Sequence, residues 1–150
     1  DMKAEPFLIA STLNVIIAQR LVRKIYESKE PYKLTKAELK NLSNYANLER
    51  ILEILKQEGL AKEKDTLEDI TFYHAKPTKD SPDGYKGRIG IYEVLAVTEK
   101  IKELIIKKSS TNEIAQEAKK NGMKTMVEDG FVKAAKGITS IEEILRVITE

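Results

Sequence analysis

Apolar residues crowd the start of the chain. Leu8, Ile9, Leu13, Val15, Ile16, Ile17, Leu21, Val22 and Ile25 follow Glu5-Pro6, and proline suits the first turn of a helix. The pattern predicts one helix over Phe7–Ile25, apolar on nearly every face, with Gln19, Arg20 and Arg23 gathered near its end. A helix apolar all round is normally buried in a larger body. Ser11, Thr12 and Asn14 interrupt the run, and it is too short to span a membrane. Lys29-Glu30-Pro31-Tyr32 ends it, because the residue before a proline is pushed out of the α region.

Helical spacing returns after Leu34. Thr35 with Glu38 forms a capping box and Leu34 with Leu39 a hydrophobic staple, opening a helix that runs to about Asn44. Asn47 caps the next, whose stripe is Leu48, Ile51, Leu52 and Leu55, and Gly59 closes it. Ile70 and Phe72 alternate, predicting a short strand over Asp69–His74. Pro77–Gly87 is a loop. Arg88–Val97 alternates again, with Ile89, Ile91 and Leu95 on one face and Tyr92 and Val94 on the other. Gly84 to Gly90 is expected to turn into a hairpin there.

Three capped helices fill the last third. Thr98 opens a helix carrying Ile101, Leu104 and Ile105, and Ser110 with Glu113 opens another that Gly122 closes. Met126–Lys136 is a further helix, closed by Gly137. Thr139 with Glu142 is expected to open the last, with the stripe Ile141, Ile144, Leu145 and Ile148. Met123 and Met126 sit at core positions. The fold class expected is mainly α with a small β-hairpin.

Composition narrows the chemistry. The 26 Lys and Arg against 24 Asp and Glu leave +2, which gives no strong attraction to nucleic acid or anionic lipid. Zero Cys excludes disulfides and thiolate metal sites, and a single His, His74, has no second ligand. Nothing sets a nucleophile against His74. None of the seven Gly sits in a P-loop pattern. Arg20 and Arg23 have two readings: solvated or salt-bridged charge, or arginines meeting an anionic ligand or an adjacent subunit. Arg88 and Glu93 lie five apart on a predicted strand, hence on opposite faces, and read as separate ion-pair partners.

Several stretches together resemble a known family. Glu5-Pro6-Phe7-Leu8-Ile9-Ala10-Ser11, Ala18-Gln19-Arg20-Leu21-Val22-Arg23-Lys24 and Lys29-Glu30-Pro31-Tyr32 are three of them. The most specific is Gly84-Tyr85-Lys86-Gly87-Arg88-Ile89-Gly90-Ile91-Tyr92-Glu93-Val94-Leu95. Gly122-Met123, Glu128-Asp129-Gly130, Gly137-Ile138-Thr139 and Glu142-Glu143-Ile144-Leu145-Arg146-Val147 follow in matching order. In this arrangement the chain resembles the C-terminal portion of the hexameric ATPases that drive type II secretion and type IV pilus assembly.

The resemblance implies the helical end of a RecA-like motor. Six copies would form a homohexameric ring, hydrolyse ATP with Mg and act on an inner-membrane platform protein from the cytoplasmic side. The Walker motifs and histidine box of the family lie upstream of every matching stretch, so the resemblance implies no catalytic or cofactor-binding group here, and on it the Asp at position 1 is expected to be where a longer protein was cut. The family-motif residues without an assigned role are Gln19, Arg20, Arg23, Gly87, Arg88, Gly90, Glu93, Gly122, Met123 and Gly137.

One departure is clear. Many members hold zinc with two Cys pairs, which would fall near Ile25–Ser28 and at Pro77 and Asp80; all four are missing. The expected organisation is therefore a helical arm over 1–32, a metal-free helical insert over 33–83 in place of the zinc finger, and a hairpin with a helical bundle over 84–150. Packing of the two capped helices with Phe72 and Tyr73 would substitute for the metal. A competing expectation is a winged-helix nucleic-acid module built on residues 35–74. Its second helix carries Glu49, Glu53 and Glu58 against Arg50 and Lys56, a balance that repels phosphate, so no nucleic-acid partner is expected.

Overall fold

The apolar run that follows Asn14 forms a strand. A computed structural model describes residues 5–149, and in it α1 covers only Pro6–Thr12, with Leu13 extended behind it. β1 then runs over Val15–Ile25. The expected helix over Phe7–Ile25 is thus corrected from Asn14 onward. Its residue types explain the outcome: Val15, Ile16, Ile17, Val22 and Ile25 are β-branched, stiff in a helix and well fitted to a pleated surface.

The remaining elements are β2 (Lys29–Lys33), α2 (Lys36–Leu42), α3 (Leu48–Gln57), β3 (Thr71–Ala75), β4 (Tyr85–Ala96), α4 (Glu99–Ile106), α5 (Thr111–Lys120), α6 (Met126–Ala135) and α7 (Ile141–Thr149). The described residues therefore hold seven helices and four strands, a mixed α/β arrangement. The strands pair as β1 with β4 and β2 with β3. The local hairpin expected from Gly84 onward does not form; β4 pairs instead with β1, some sixty residues earlier in sequence. Val97 N–H donates to the Asn14 carbonyl and Tyr26 N–H to the Gly84 carbonyl, so β1 and β4 run antiparallel.

β2 and β3 are antiparallel, with Lys29 opposite Ala75, Pro31 opposite Tyr73 and Tyr32 opposite Phe72. Pro31, expected to break a helix, sits inside β2. A two-stranded sheet has only edges, where a missing N–H is tolerated.

The chain divides into two compact units. The first comprises the described residues up to Ala18 together with Tyr92–Thr125; the second comprises Gln19–Ile91 and residues from Met126 on. In the first unit Val97, Ile101 and Ala118 are buried, with Leu13, Leu95, Leu104 and Met123 packed against them. In the second, α2 and α3 contribute Leu42, Ile51, Ile54 and Leu55, β3 contributes Phe72, and α6 and α7 contribute Phe131, Val132, Ile141 and Ile144 to one core. A smaller cluster joins Val22, Ile91 and Val147, with Met126 against it.

The starts of α2, α3, α4 and α5 follow the sequence signals. Thr35 Oγ1 accepts from Glu38 N–H while Glu38 accepts from Thr35 N–H, and Ser110 and Glu113 repeat this box. Asn47 caps α3 and Thr98 caps α4. Replacing Thr35 by Ala should cost about 1 kcal/mol, the usual value of such a cap, read as a lower urea midpoint at unchanged slope. A shift no larger than a tenth of that would show that the box adds nothing here.

Several apolar side chains of β1 remain exposed, Ile17 most of all at 59%. Ile17→Lys should therefore change stability by no more than about 0.5 kcal/mol and raise solubility. Leu13→Lys, by contrast, places a charge against Val97 and Ile101 and should unfold the first unit. Equal losses of midpoint in the two variants would contradict this burial pattern.

Candidate functional site

Three of the sequence-singled arginines come from two paired strands: Arg20 and Arg23 from β1 and Arg88 from β4. Arg23, Arg88 and Leu21, together with Arg146 of α7, line a cleft of about 490 Å³ in the second unit. Alternation along β1 sends Leu21 and Arg23 to one face and Arg20 and Val22 to the other. Arg20 accordingly takes a different role, donating from Nη1 to the Val147 carbonyl beside the buried Val22.

Glu143 organises the cleft from beneath. Its side chain is only 2% exposed, whereas Arg23 and Arg146 are 40% and 42% exposed. Arg23 donates to it from Nη2 at 2.5 Å and from its backbone N–H at 3.0 Å. Arg146 adds a two-point contact, from Nε at 3.0 Å and Nη2 at 2.9 Å, the fork geometry that guanidinium offers a carboxylate. Burial pushes the Glu143 carboxyl up, but the hydrogen bonds from Arg146 and Arg23 outweigh it and hold it at about 2. The same hydrogen bond raises Arg23, against a smaller opposing effect of burial.

The rim is equally ordered. Arg23 Nη1 donates to Asp83 at 2.9 Å, and its guanidinium lies 4.4 Å from the Tyr85 ring centre, within cation–π range. Asp83 is held low chiefly by the Tyr85 backbone N–H. Tyr85 is raised, first by burial, and its hydroxyl hydrogen-bonds Ser140 Oγ at 2.7 Å.

The start of α7 corrects one expectation. Thr139 and Glu142 do not form the cap. Ser140 Oγ accepts from Glu143 N–H, one residue later, while Thr139 Oγ1 donates to the Arg23 carbonyl at 2.8 Å. The shift turns Glu143, not Glu142, toward the arginines. Glu142 instead lies 2.7 Å from Nδ1 of His74, whose ring stacks on Tyr32 at 3.7 Å.

The other motif residues lie apart from the cleft lining. Gln19 is exposed on β1 and Gly90 is buried within β4. Gly87 lies near the start of β4 at φ +78°, near Lys24. Glu93 and Met123 belong to the first unit, where they border a groove of about 190 Å³ with Ile16, Leu95, Ile114 and Ala118. Gly122 ends α5 there. Gly137 ends α6 at φ +69°, where its backbone conformation favours glycine, and it packs beside Lys29 Nζ and the Tyr73 ring. Among the described residues no three His, Cys, Asp or Glu side chains gather as a metal cage.

Glu143, Arg146, Asp83 and Tyr85 are site residues that the sequence did not single out individually. The Glu143–Arg146 spacing of three on a helix is a legible signal for an ion pair. That Arg23 would join it across 120 positions is not.

The chain belongs to the type II/IV secretion system protein family, whose model matches residues 1–146. It is 38% identical to the type II secretion system protein E of Xanthomonas campestris pv. campestris over 98% of this chain, and spans 23% of that relative. It is 34% identical to the type IV pilus assembly ATPase PilB of Thermus thermophilus over 97% of this chain and 14% of the relative. The type II secretion system ATPase E of Vibrio cholerae is 36% identical over the whole chain and 26% of its own length. The chain thus covers about a quarter or less of these relatives. Among the described residues no helix is long and apolar enough to cross a membrane.

Proposed function

We propose that these residues form the C-terminal part of a hexameric ATPase that powers type IV pilus assembly or type II protein secretion. The carrying observation is the family match over residues 1–146 together with relatives named for both systems. No Gly-rich P-loop pattern occurs in the chain, so ATP and Mg would be held by other parts of the full-length protein. This part would pack against the RecA-like core and neighbouring subunits, and the assembled ring would act on an inner-membrane platform protein from the cytoplasmic side.

Residues 33–83 would stand in for the zinc finger of relatives without a metal. Two arrangements support this reading. The segments where the Cys pairs would fall are tied by backbone, Lys76 N–H donating to the Ser28 carbonyl. Leu34, Leu42, Ile51, Leu55 and Phe72 share a core with Phe131 and Ile144, which supplies packing where a metal would otherwise supply folding energy.

The test compares two proteins. The purified 150-residue chain should release no phosphate from MgATP, and the full-length product of the same gene should sediment as a hexamer and hydrolyse ATP. Turnover by the 150-residue chain at ring-motor rates, or a full-length product that is monomeric and inert, overturns the proposal.

A further inference from the structure

We propose that the groove formed by β2, α2 and α7 receives the end of α4 from a second copy of this chain, with Ile106 as the apolar anchor and Lys107 and Lys108 meeting Glu38 and Glu142. This contact stands on the groove and the helix end and does not rest on the motor assignment.

The groove lies wholly within the second unit. It is built on the buried Leu34, Leu42 and Ile141, while Glu38 and Glu142 stand exposed at its rim. No lysine or arginine lines it. Each acid keeps one carboxylate oxygen free of hydrogen bonds: Glu38 spends Oε2 on the Thr35 cap, and Glu142 spends Oε1 on His74. The volume is about 180 Å³, below the roughly 300 Å³ at which small-molecule sites begin. It suits one side chain of a protein segment, apolar in body with a cation beside it.

The end of α4, within the first unit, has that complementary character. Ile106 is 54% exposed. Lys107 and Lys108 follow it directly, both exposed, and neither has a carboxylate partner among the described residues. Of the other exposed large apolar side chains, only Leu21 stands next to a cation in sequence. Its neighbours Arg20 and Arg23 already bond the Val147 carbonyl and Glu143. Opposite charge at rim and helix end would also select this partner over an acidic one.

The backbone fixes the shape of the helix end. Ser109 N–H donates to the Leu104 carbonyl and Lys108 N–H to the Ile105 carbonyl, the two bonds of a Schellman end. Lys108 sits at φ +53°, the one left-handed position among the described residues that is not glycine. Gly59, Gly122 and Gly137 take that place after α3, α5 and α6. A lysine there costs local stability that glycine would spare, and a side chain kept at a strained position points to a use for that side chain. An end already held in shape loses little freedom on docking.

The experiment is sedimentation equilibrium of the 150-residue chain at physiological salt, from about 10 μM to about 1 mM, because a contact with one anchor is weak. Reversible self-association is expected. The groove variant Asn41→Lys/Glu142→Lys reverses the rim charge without touching a buried side chain. The helix-end variant Lys107→Glu/Lys108→Gly reverses the other partner and relaxes the strained backbone, so it should be at least as resistant to urea as the parent. Each variant alone should associate about tenfold more weakly or worse, the order of a charged contact. Lys119→Glu/Lys120→Gln makes the same change of charge on α5 and should alter association less than about twofold. Mixing the groove variant with the helix-end variant leaves one intact groove and one intact helix end, and should restore a 1:1 complex and nothing larger. A parent chain monomeric at about 1 mM, association that both variants retain, an equal loss in the α5 control, or a mixture that stays monomeric overturns the proposal.

Discussion

Replacing Glu143 by Gln should lower the unfolding free energy by about 3–5 kcal/mol at pH 7, the usual cost of breaking a buried ion pair by removing one partner. The carboxylate is 2% exposed, and it holds Arg23 and Arg146 together through four hydrogen bonds. A neutral amide of the same shape cannot accept from all of those donors, and its NH₂ points a donor at a guanidinium. The two arginines would then face each other without the charge that lies between them. Chemical denaturation at pH 7 measures the loss; a Gln variant as stable as the parent would show that the arginines rearrange at no cost.

The same carboxylate sets an acid dependence. Its folded value of about 2 lies below the ordinary 4.5, so its contribution is complete above pH 4.5 and disappears as pH falls toward 2. Over that window the parent should lose about 3 kcal/mol from this group, and the Gln variant should lack that component of the loss. Parallel stability curves for the two proteins between pH 4.5 and 2 would contradict the assignment.

Legibility in the sequence followed the range of the interactions involved. The ends of α2, α3, α4 and α5 were readable because Thr35, Asn47, Thr98 and Ser110 bond to backbone three positions away. β1 was not readable as a strand. Its run of apolar side chains satisfies both a buried helix and a strand, and what decides between them is pairing with β4, beyond any local window. The same nonlocality converted the expected hairpin into half of a long-range pair. At the cleft, Arg20, Arg23 and Arg88 stood out as isolated residues. Their division into two faces, and the meeting of Arg23 with Glu143, depended on β1 being extended and on the cap of α7 falling at Ser140.

Phe72→Ala should be the other severe substitution, costing about 3–5 kcal/mol as a fully buried aromatic truncated to a cavity. Phe72 is 0% exposed and meets the Phe131 ring edge-on at 6.1 Å, with Tyr32 tilted against it at 6.4 Å. It therefore joins β3 and its strand partner β2 to α6 at one point. Tyr73, the next residue, projects to the opposite face, where it meets Lys29 and Gly137, so a one-residue slip would exchange the two environments. A double-mutant cycle with Phe131→Ala separates a shared core from two independent ones. Coupling of about 0.5–1.5 kcal/mol is expected for such an aromatic pair, and strictly additive losses would mean that residues 33–83 fold without α6. Because apolar packing and not a metal is the proposed support of that segment, EDTA should leave the unfolding midpoint of the parent chain unchanged. A midpoint that falls on chelation would restore a metal to the insert and remove the reason for ranking Phe72 so high.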